Sequence, residues 1–408
     1  MSVLASDEDL ARFRLAPGFE CAATACGLKR NGALDLALVW STGPASAAGV
    51  FTTNRVQAAP VVLDRGTLAG SAARIRAVIA NSGCANACTG ERGLADARRM
   101  AALAAAALDA RAEEVLVLST GVIGAFLDMD KIAGGIEVLR GPAARRAAGD
   151  AARAITTTDT RPKIASADAA LPGGAVRIAG FAKGAGMIHP QMATMLALVT
   201  TDARIEPDRL ARALGAAVAR SFNRISVDGD MSTNDTVLVL ASGVSGMSVG
   251  DAEAAAFEAA LAEVCASLAR QIARDGEGAT RLVEIAVTGA ASEAQAHQVG
   301  DAIACSPLVK TAVHGGDPNW GRILAAAGYS GAEVEPERMR LWFGGPGTEL
   351  ALVERGLPLA FDAARASALL REDPVVVRLD LGLGAAAATV WTCDLSAEYV
   401  RVNAEYTT

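Results

Sequence analysis

Hydrophobic positions along this chain fall into two patterns. Short unbroken apolar runs read as buried strands, and longer segments with apolar residues every three or four positions read as helices facing a core. The strand candidates are residues 34–40, 75–80, 115–118, 175–181, 194–200, 236–241 and 282–287, with a further segment, 49–55, after a glycine-rich turn. Residues 94–108, 142–155, 206–222, 252–273 and 293–303 read as helices, the third with Pro207 in its first turn. This alternation, with no GxGxxG after the first strand, predicts an α/β or α+β protein without a nucleotide-binding fold. At 408 residues the chain exceeds the usual single-core limit of about 250 to 300, so two or three lobes are expected. No internal repeat or Pro/Ser-rich linker marks their boundaries.

Composition narrows the class. Hydrophobic residues make up 51% and aromatics 4%, so alanine-rich helices must pack closely on sheets. A formal charge of −7 leaves no basic stripe for phosphates, which argues against a nucleic-acid partner. The seven cysteines are odd in number and mostly isolated, as suits reduced thiols in a cytoplasm. Cys84 and Cys88 have metal-like spacing, but no second Cys/His pair completes four ligands, so no metal is expected; Asp228 and Asp230 lack the glycine and glutamate of a calcium loop. The acidic start and the lack of a long apolar run predict no signal peptide and no membrane partner.

The chemistry centres on residues 181–203. Lys183-Gly184-Ala185-Gly186 is a loop whose backbone can approach a ligand beside one cation, Pro190 breaks any helix, and Thr194 opens the apolar run 194–200. A threonine hydroxyl needs a base beside it. With only three histidines, His189, His297 and His314, and no Gly-x-Ser-x-Gly elbow, a Ser-His-Asp arrangement has little support. Cleavage of the chain before a threonine would create a base, because a new α-amino group titrates at about 7.7 to 8.0.

The string Lys183-Gly184-Ala185-Gly186-Met187-Ile188, Pro190, Met192-Ala193-Thr194-Met195-Leu196 and Thr201-Asp202-Ala203 resembles the self-processing segment of the ornithine acetyltransferases, or glutamate N-acetyltransferases, of arginine biosynthesis. The resemblance implies cleavage of the Ala193-Thr194 bond, giving an α-chain of residues 1–193 and a β-chain of residues 194–408. It also implies sheets sandwiched between helices, an N-terminal-nucleophile-like architecture with the nucleophile at a strand's start. Thr194 would act as both nucleophile and base, through its hydroxyl and its freed amine.

Other segments carry the same resemblance. Ser119-Thr120-Gly121 ends a strand with a hydroxyl and a free N–H, the parts of an oxyanion hole, and the family likeness gives that role to Thr120 and Gly121. It gives substrate contacts to Thr157 in Thr156-Thr157-Thr158-Asp159-Thr160, to Lys183, to Glu277 between two glycines, and to Asn403 and Thr408 in the tail. Residues 81–90 form a loop dense in small residues and amides, read either as a crowded turn or as a wall of the active site; the family commonly has Asn where Cys84 stands. Asp317-Pro318-Asn319-Trp320-Gly321-Arg322 is also characteristic of the family and is read as structural support.

The implied reaction is ping-pong acetyl transfer from N-acetylornithine to glutamate. It needs no cofactor, and acetyl-CoA is a second donor only in a bifunctional enzyme. The implied assembly is an α2β2 heterotetramer in the cytoplasm. Two other readings stay open: a self-processing amidase or aminopeptidase with water as acceptor, and a non-enzymatic anion-binding protein with an unbroken chain.

Overall fold

The computed structural model describes residues 4–189 and 195–405. Ala193, Thr194 and Thr408 therefore lie outside the described residues. The protein is a mixed α/β structure built on two sheets flanked by helices.

The first sheet takes β1 (Phe19–Thr24), β2 (Leu36–Phe51), β3 (Ile75–Cys84), β4 (Val115–Val122), β5 (Lys163–Leu171), β6 (Gly174–Lys183), β7 (Leu196–Thr201) and β8 (Thr236–Ala241). Their order is β4-β3-β2-β8-β7-β6-β5, with β1 added on β2. The second takes β9 (Leu282–Ala290), β10 (Arg340–Phe343), β11 (Leu350–Glu354), β12 (Leu357–Pro358), β13 (Val375–Asp380) and β14 (Ala386–Cys393), in the order β12-β11-β10-β13-β9-β14.

β7 and β8 explain the unbroken apolar runs. Every residue of both is buried, because helices and loops cover both sheet faces. Alternation survives as a choice of core. Ala197, Val199, Val237 and Val239 pack with Leu214, Phe257 and Leu268 of the helices Pro207–Ala219 and Ala254–Arg274. Leu196, Leu198, Leu238 and Leu240 face the opposite layer, with Phe51, Val61 and Ile155.

Several boundaries differ from expectation. Residues 36–40 and 49–51 of these two expected segments belong to one strand, β2, whose first part pairs with β1 and β3 and whose second pairs with β8. Its ladder to β3 shifts register between Trp40 and Ala45, around Gly43-Pro44, where proline has no N–H to donate. The helix expected over 142–155 is only Ala148–Ala154. Helices Ala59–Ser71 and Met129–Arg140 escape a propensity reading because each carries two glycines; they form by burying Val61 in one case and Ile132, Ile136 and Leu139 in the other.

The second sheet is covered by helices Glu293–Ala304, Pro307–Gly315 and Trp320–Gly328. The 317–322 string joins the last two: Trp320 packs against this core and the Arg322 guanidinium donates to Leu308 O at 2.8 Å.

Position 193–194 does not separate the sheets. β6 and β7, which flank it, are antiparallel neighbours with Lys183 opposite Leu196. Among the described residues, no helix is long and apolar enough to cross a membrane.

Phe257 is fully buried where a long helix meets the central strands, whereas Leu308 is 61% exposed. Phe257→Ala should cost about 3–5 kcal/mol and Leu308→Ala no more than about 0.5 kcal/mol, read as shifts in the urea unfolding midpoint at unchanged slope.

Candidate active site

A cavity of about 100 Å³ opens where β4 and β6 end. Thr120, Gly121, Thr157, Lys183, Glu277 and Asn403 all line it, with Ala85, Ile123, Thr158, Gly186, Met187, Ser232 and Asn234 completing the wall. Six residues singled out from sequence are thus brought together from five separate parts of the chain.

The Thr120-Gly121 corner is held by close backbone packing. β3 and β4 run parallel with Gly121 beside Gly83. Gly121 has φ +130°, and a Cβ there would sit 2.4 Å from the Gly83 carbonyl carbon, so only glycine fits. Side-chain amides lock the corner: Asn234 Nδ2 donates to Ala85 O (2.7 Å) and Ser119 O (2.8 Å), the Ser119 hydroxyl donates to Asn81 Oδ1 (2.6 Å), and Asn81 Nδ2 donates to Cys84 O (2.9 Å). The amides of residues 81–90 thus serve the turn, while Ala85 faces the cavity. Cys84 is buried with its thiol donating to Ala125 O at 3.3 Å, and Cys88 is exposed.

Charge in the cavity depends on Asp159. Its carboxylate is fully buried and lies 2.5 Å from Lys163 Nζ and 4.0 Å from Lys183 Nζ. It also accepts the N–H groups of Thr157 (2.9 Å) and Gly184 (2.6 Å), so one side chain ties the threonine turn to the start of the 184–186 loop. Lys163 Nζ is shared at 2.5 Å with the buried Asp275, which also accepts from the Thr160 hydroxyl and backbone N–H. Burial alone would push the Asp159 carboxyl up, but the two ammonium groups and its hydrogen bonds hold it well below the usual carboxylate range. Burial pulls the Lys183 ammonium below its ordinary value, opposed chiefly by Asp159. Thr156–Thr160, a polar run in the sequence, winds around this buried charge.

Glu277 supplies a carboxylate to the lining. Its N–H donates to Ala185 O at 2.8 Å, which brings the carboxylate against Gly186; a Cβ at Gly186 would lie 2.5 Å from Glu277 Oε2. Asn403, on the tail helix Ala397–Glu405, donates through Nδ2 to Glu277 Oε2 at 2.8 Å. Asp228 positions the 187–188 segment by accepting both N–H groups at 2.6 and 2.8 Å, and receives the Tyr399 hydroxyl at 3.3 Å.

Sequence reading did not single out Asp159, Asn234 or Asp235. Asp235 is fully buried and its Oδ1 accepts the Met195 N–H at 2.9 Å. Its Oδ2 has no partner among the described residues. Burial pushes this carboxyl well above the usual range, against that hydrogen bond and the Lys183 charge.

Comparison with known proteins gives a consistent picture. The model of the ArgJ family matches residues 20–408. The Arginine biosynthesis bifunctional protein ArgJ of Symbiobacterium thermophilum is 51% identical over 396 residues, covering 96% of this chain and 97% of that protein. Its namesake from Geobacter sulfurreducens is 50% identical, covering 96% and 99%. Among solved structures, the Ornithine Acetyltransferase of Mycobacterium tuberculosis complexed with ornithine is 45% identical, with a TM-score of 0.39, over 43% of this chain and 92% of that one.

Asp159→Asn would leave two buried ammonium groups without their shared counter-charge, and should cost about 3–5 kcal/mol at pH 7. The folded-state pKa of Asp159 is lowered, so its contribution is complete above the unfolded carboxylate value of about 3.9 and is lost as pH falls through the lower folded value. Urea midpoints followed from pH 7 downward should therefore show a shallower acid decline in Asp159→Asn than in the parent protein.

Proposed function

The chain belongs to the ArgJ family, and from that premise we propose that it transfers an acetyl group from N2-acetylornithine to glutamate through an acetyl ester on Thr194. It is an acyltransferase of arginine biosynthesis.

In this reading the precursor cuts its own Ala193-Thr194 bond. The freed Thr194 amine takes the proton of the Thr194 hydroxyl, whose oxygen attacks the acetyl carbonyl of acetylornithine. Thr120 and Gly121 stabilise the oxyanion as the C–N bond breaks, and ornithine leaves with the proton on its amine. The glutamate amine then attacks the ester, the Thr194 oxygen recovers its proton, and N-acetylglutamate departs. Thr157, Lys183, Glu277, Asn403 and Thr408 hold the amino-acid parts of both substrates.

One observation carries the reading: Thr120, Gly121, a buried ammonium (Lys183) and a carboxylate (Glu277) line the same small cavity. A cation and an anion lining one cavity suit the carboxylate and ammonium of an α-amino acid, as in glutamate and ornithine. The exchange passes an acetyl group between two amines, so its energy is near balance and no cofactor is required. Acetyl-CoA serves as a second donor, in keeping with the bifunctional names of the relatives. The processed chains stay together through the first sheet, as α2β2 in the cytoplasm.

Acetylornithine consumption should depend on added glutamate and yield N-acetylglutamate in equal amount. Acetate release at the same rate without glutamate would instead identify a hydrolase. Thr194→Ala should lose both chain cleavage and transfer, while Thr194→Ser, which keeps a hydroxyl and an amine, should retain part of each.

Glu277→Gln removes one charge from the cavity and should lower kcat/KM for acetylornithine about 10- to 100-fold, the scale of a charged hydrogen bond. Unchanged kcat/KM would remove Glu277 from substrate binding.

A further inference from the structure

A second cluster of reactive side chains lies outside the cavity, and neither the proposed reaction nor the family comparison uses it. His189, Asp301 and Cys305 each offer one donor atom, and the three atoms lie within 4.8 Å of one another. Cys305 Sγ is 3.4 Å from His189 Nδ1 and 3.7 Å from Asp301 Oδ1. Ser226 Oγ is 3.4 Å from both the imidazole nitrogen and the sulfur. Among the described residues this is the one such group of histidine, cysteine and acidic donors.

The spacings from Cys305 to His189 and Asp301, and from Ser226 to His189 and Cys305, are close to the edges of a coordination tetrahedron. With Zn–S about 2.3 Å and Zn–N about 2.0 Å, a tetrahedral site has an S···N edge of about 3.5 Å. The donors are also held in place. Asp301 and Cys305 stand four residues apart at the end of helix Glu293–Ala304, where the Cys305 N–H donates to Asp301 O at 2.9 Å. Ser226 is fixed by its N–H to Trp391 O (3.0 Å) and its hydroxyl to Ile188 O (3.2 Å). His189 follows the segment that Asp228 anchors.

We propose that His189, Asp301 and Cys305 bind a thiophilic divalent cation of the zinc class, with Ser226 Oγ or a solvent molecule at the fourth vertex. Binding breaks the Cys305 S–H bond, sends its proton to solvent and forms a metal–sulfur bond; a thiolate and a carboxylate then balance the dication. The ion's own charge favours the thiolate it binds. Sequence spacing gave no hint of the site, because Cys305 lies 116 residues from His189. On the cleavage reading alone, the ion would also join the α-chain, through His189, to the β-chain; binding itself does not depend on cleavage.

The test uses the full-length protein, stripped by chelator dialysis and titrated with Co²⁺ as a spectroscopic probe. One equivalent should produce a thiolate-to-cobalt charge-transfer band that Zn²⁺ abolishes by displacement. The band should vanish in Cys305→Ser and persist in Cys88→Ala, which removes the exposed thiol. Asp301→Asn, at a half-buried helical position, provides a second variant should Cys305→Ser fail to fold. Its Co²⁺ affinity should fall by at least the roughly 10- to 100-fold that loss of an outer-shell partner costs. Absence of a thiolate band, a band that survives Cys305→Ser, or unchanged affinity in Asp301→Asn would overturn the proposal.

Discussion

The cavity depends on one buried carboxylate. Asp159 is surrounded by two lysines and two backbone N–H groups, and each contact places something the site needs: the Thr157 turn, the end of β6, the start of the 184–186 loop and the Lys183 ammonium. Without it Lys183 would lose its ion pair and Lys163 would keep only Asp275. Asp275 completes the string and sits two residues before Glu277, so the charge chain that fixes Lys183 also fixes the start of the segment that carries Glu277. Cation and anion line one cavity, and the segments that carry them belong to one connected structure.

That structure bears on what self-cleavage would leave behind. β1 to β6 precede position 193–194 and β7 and β8 follow it, yet all belong to one sheet. The ladder between β6 and β7, the cores on both faces of β7 and β8, and the Asp159 to Lys163 to Asp275 string all join the two sides. A cut there would separate no core. The second sheet lies wholly downstream, and its tail helix returns Asn403 to Glu277.

Much of the first sheet was legible because buried strands such as β7 and β8 need unbroken apolar sequence, which stands out. Helices such as Ala59–Ser71 were not, since tertiary burial overrides their glycines. The site was legible only as a family pattern: nothing local to Glu277 or Asn403 separates a ligand contact from a helix-ending turn or an exposed tail. Asp159 and Asp235 stayed hidden for a different reason. An aspartate in a polar run looks solvated, and only the fold shows that Asp159 meets Lys183, that Lys163 reaches an aspartate 112 residues away, or that Asp235 meets the N–H of Met195.

The proposed reaction requires Thr194 to become a chain terminus that carries its own base. The direct test is the denatured mass of freshly purified full-length protein, with N-terminal sequencing of every fragment. Two chains, the second beginning at Thr194, are the result expected. An intact chain, or a break at another bond, would deprive the hydroxyl of its base and contradict the proposed reaction, leaving the two-sheet fold and the charged cavity in need of a different chemistry.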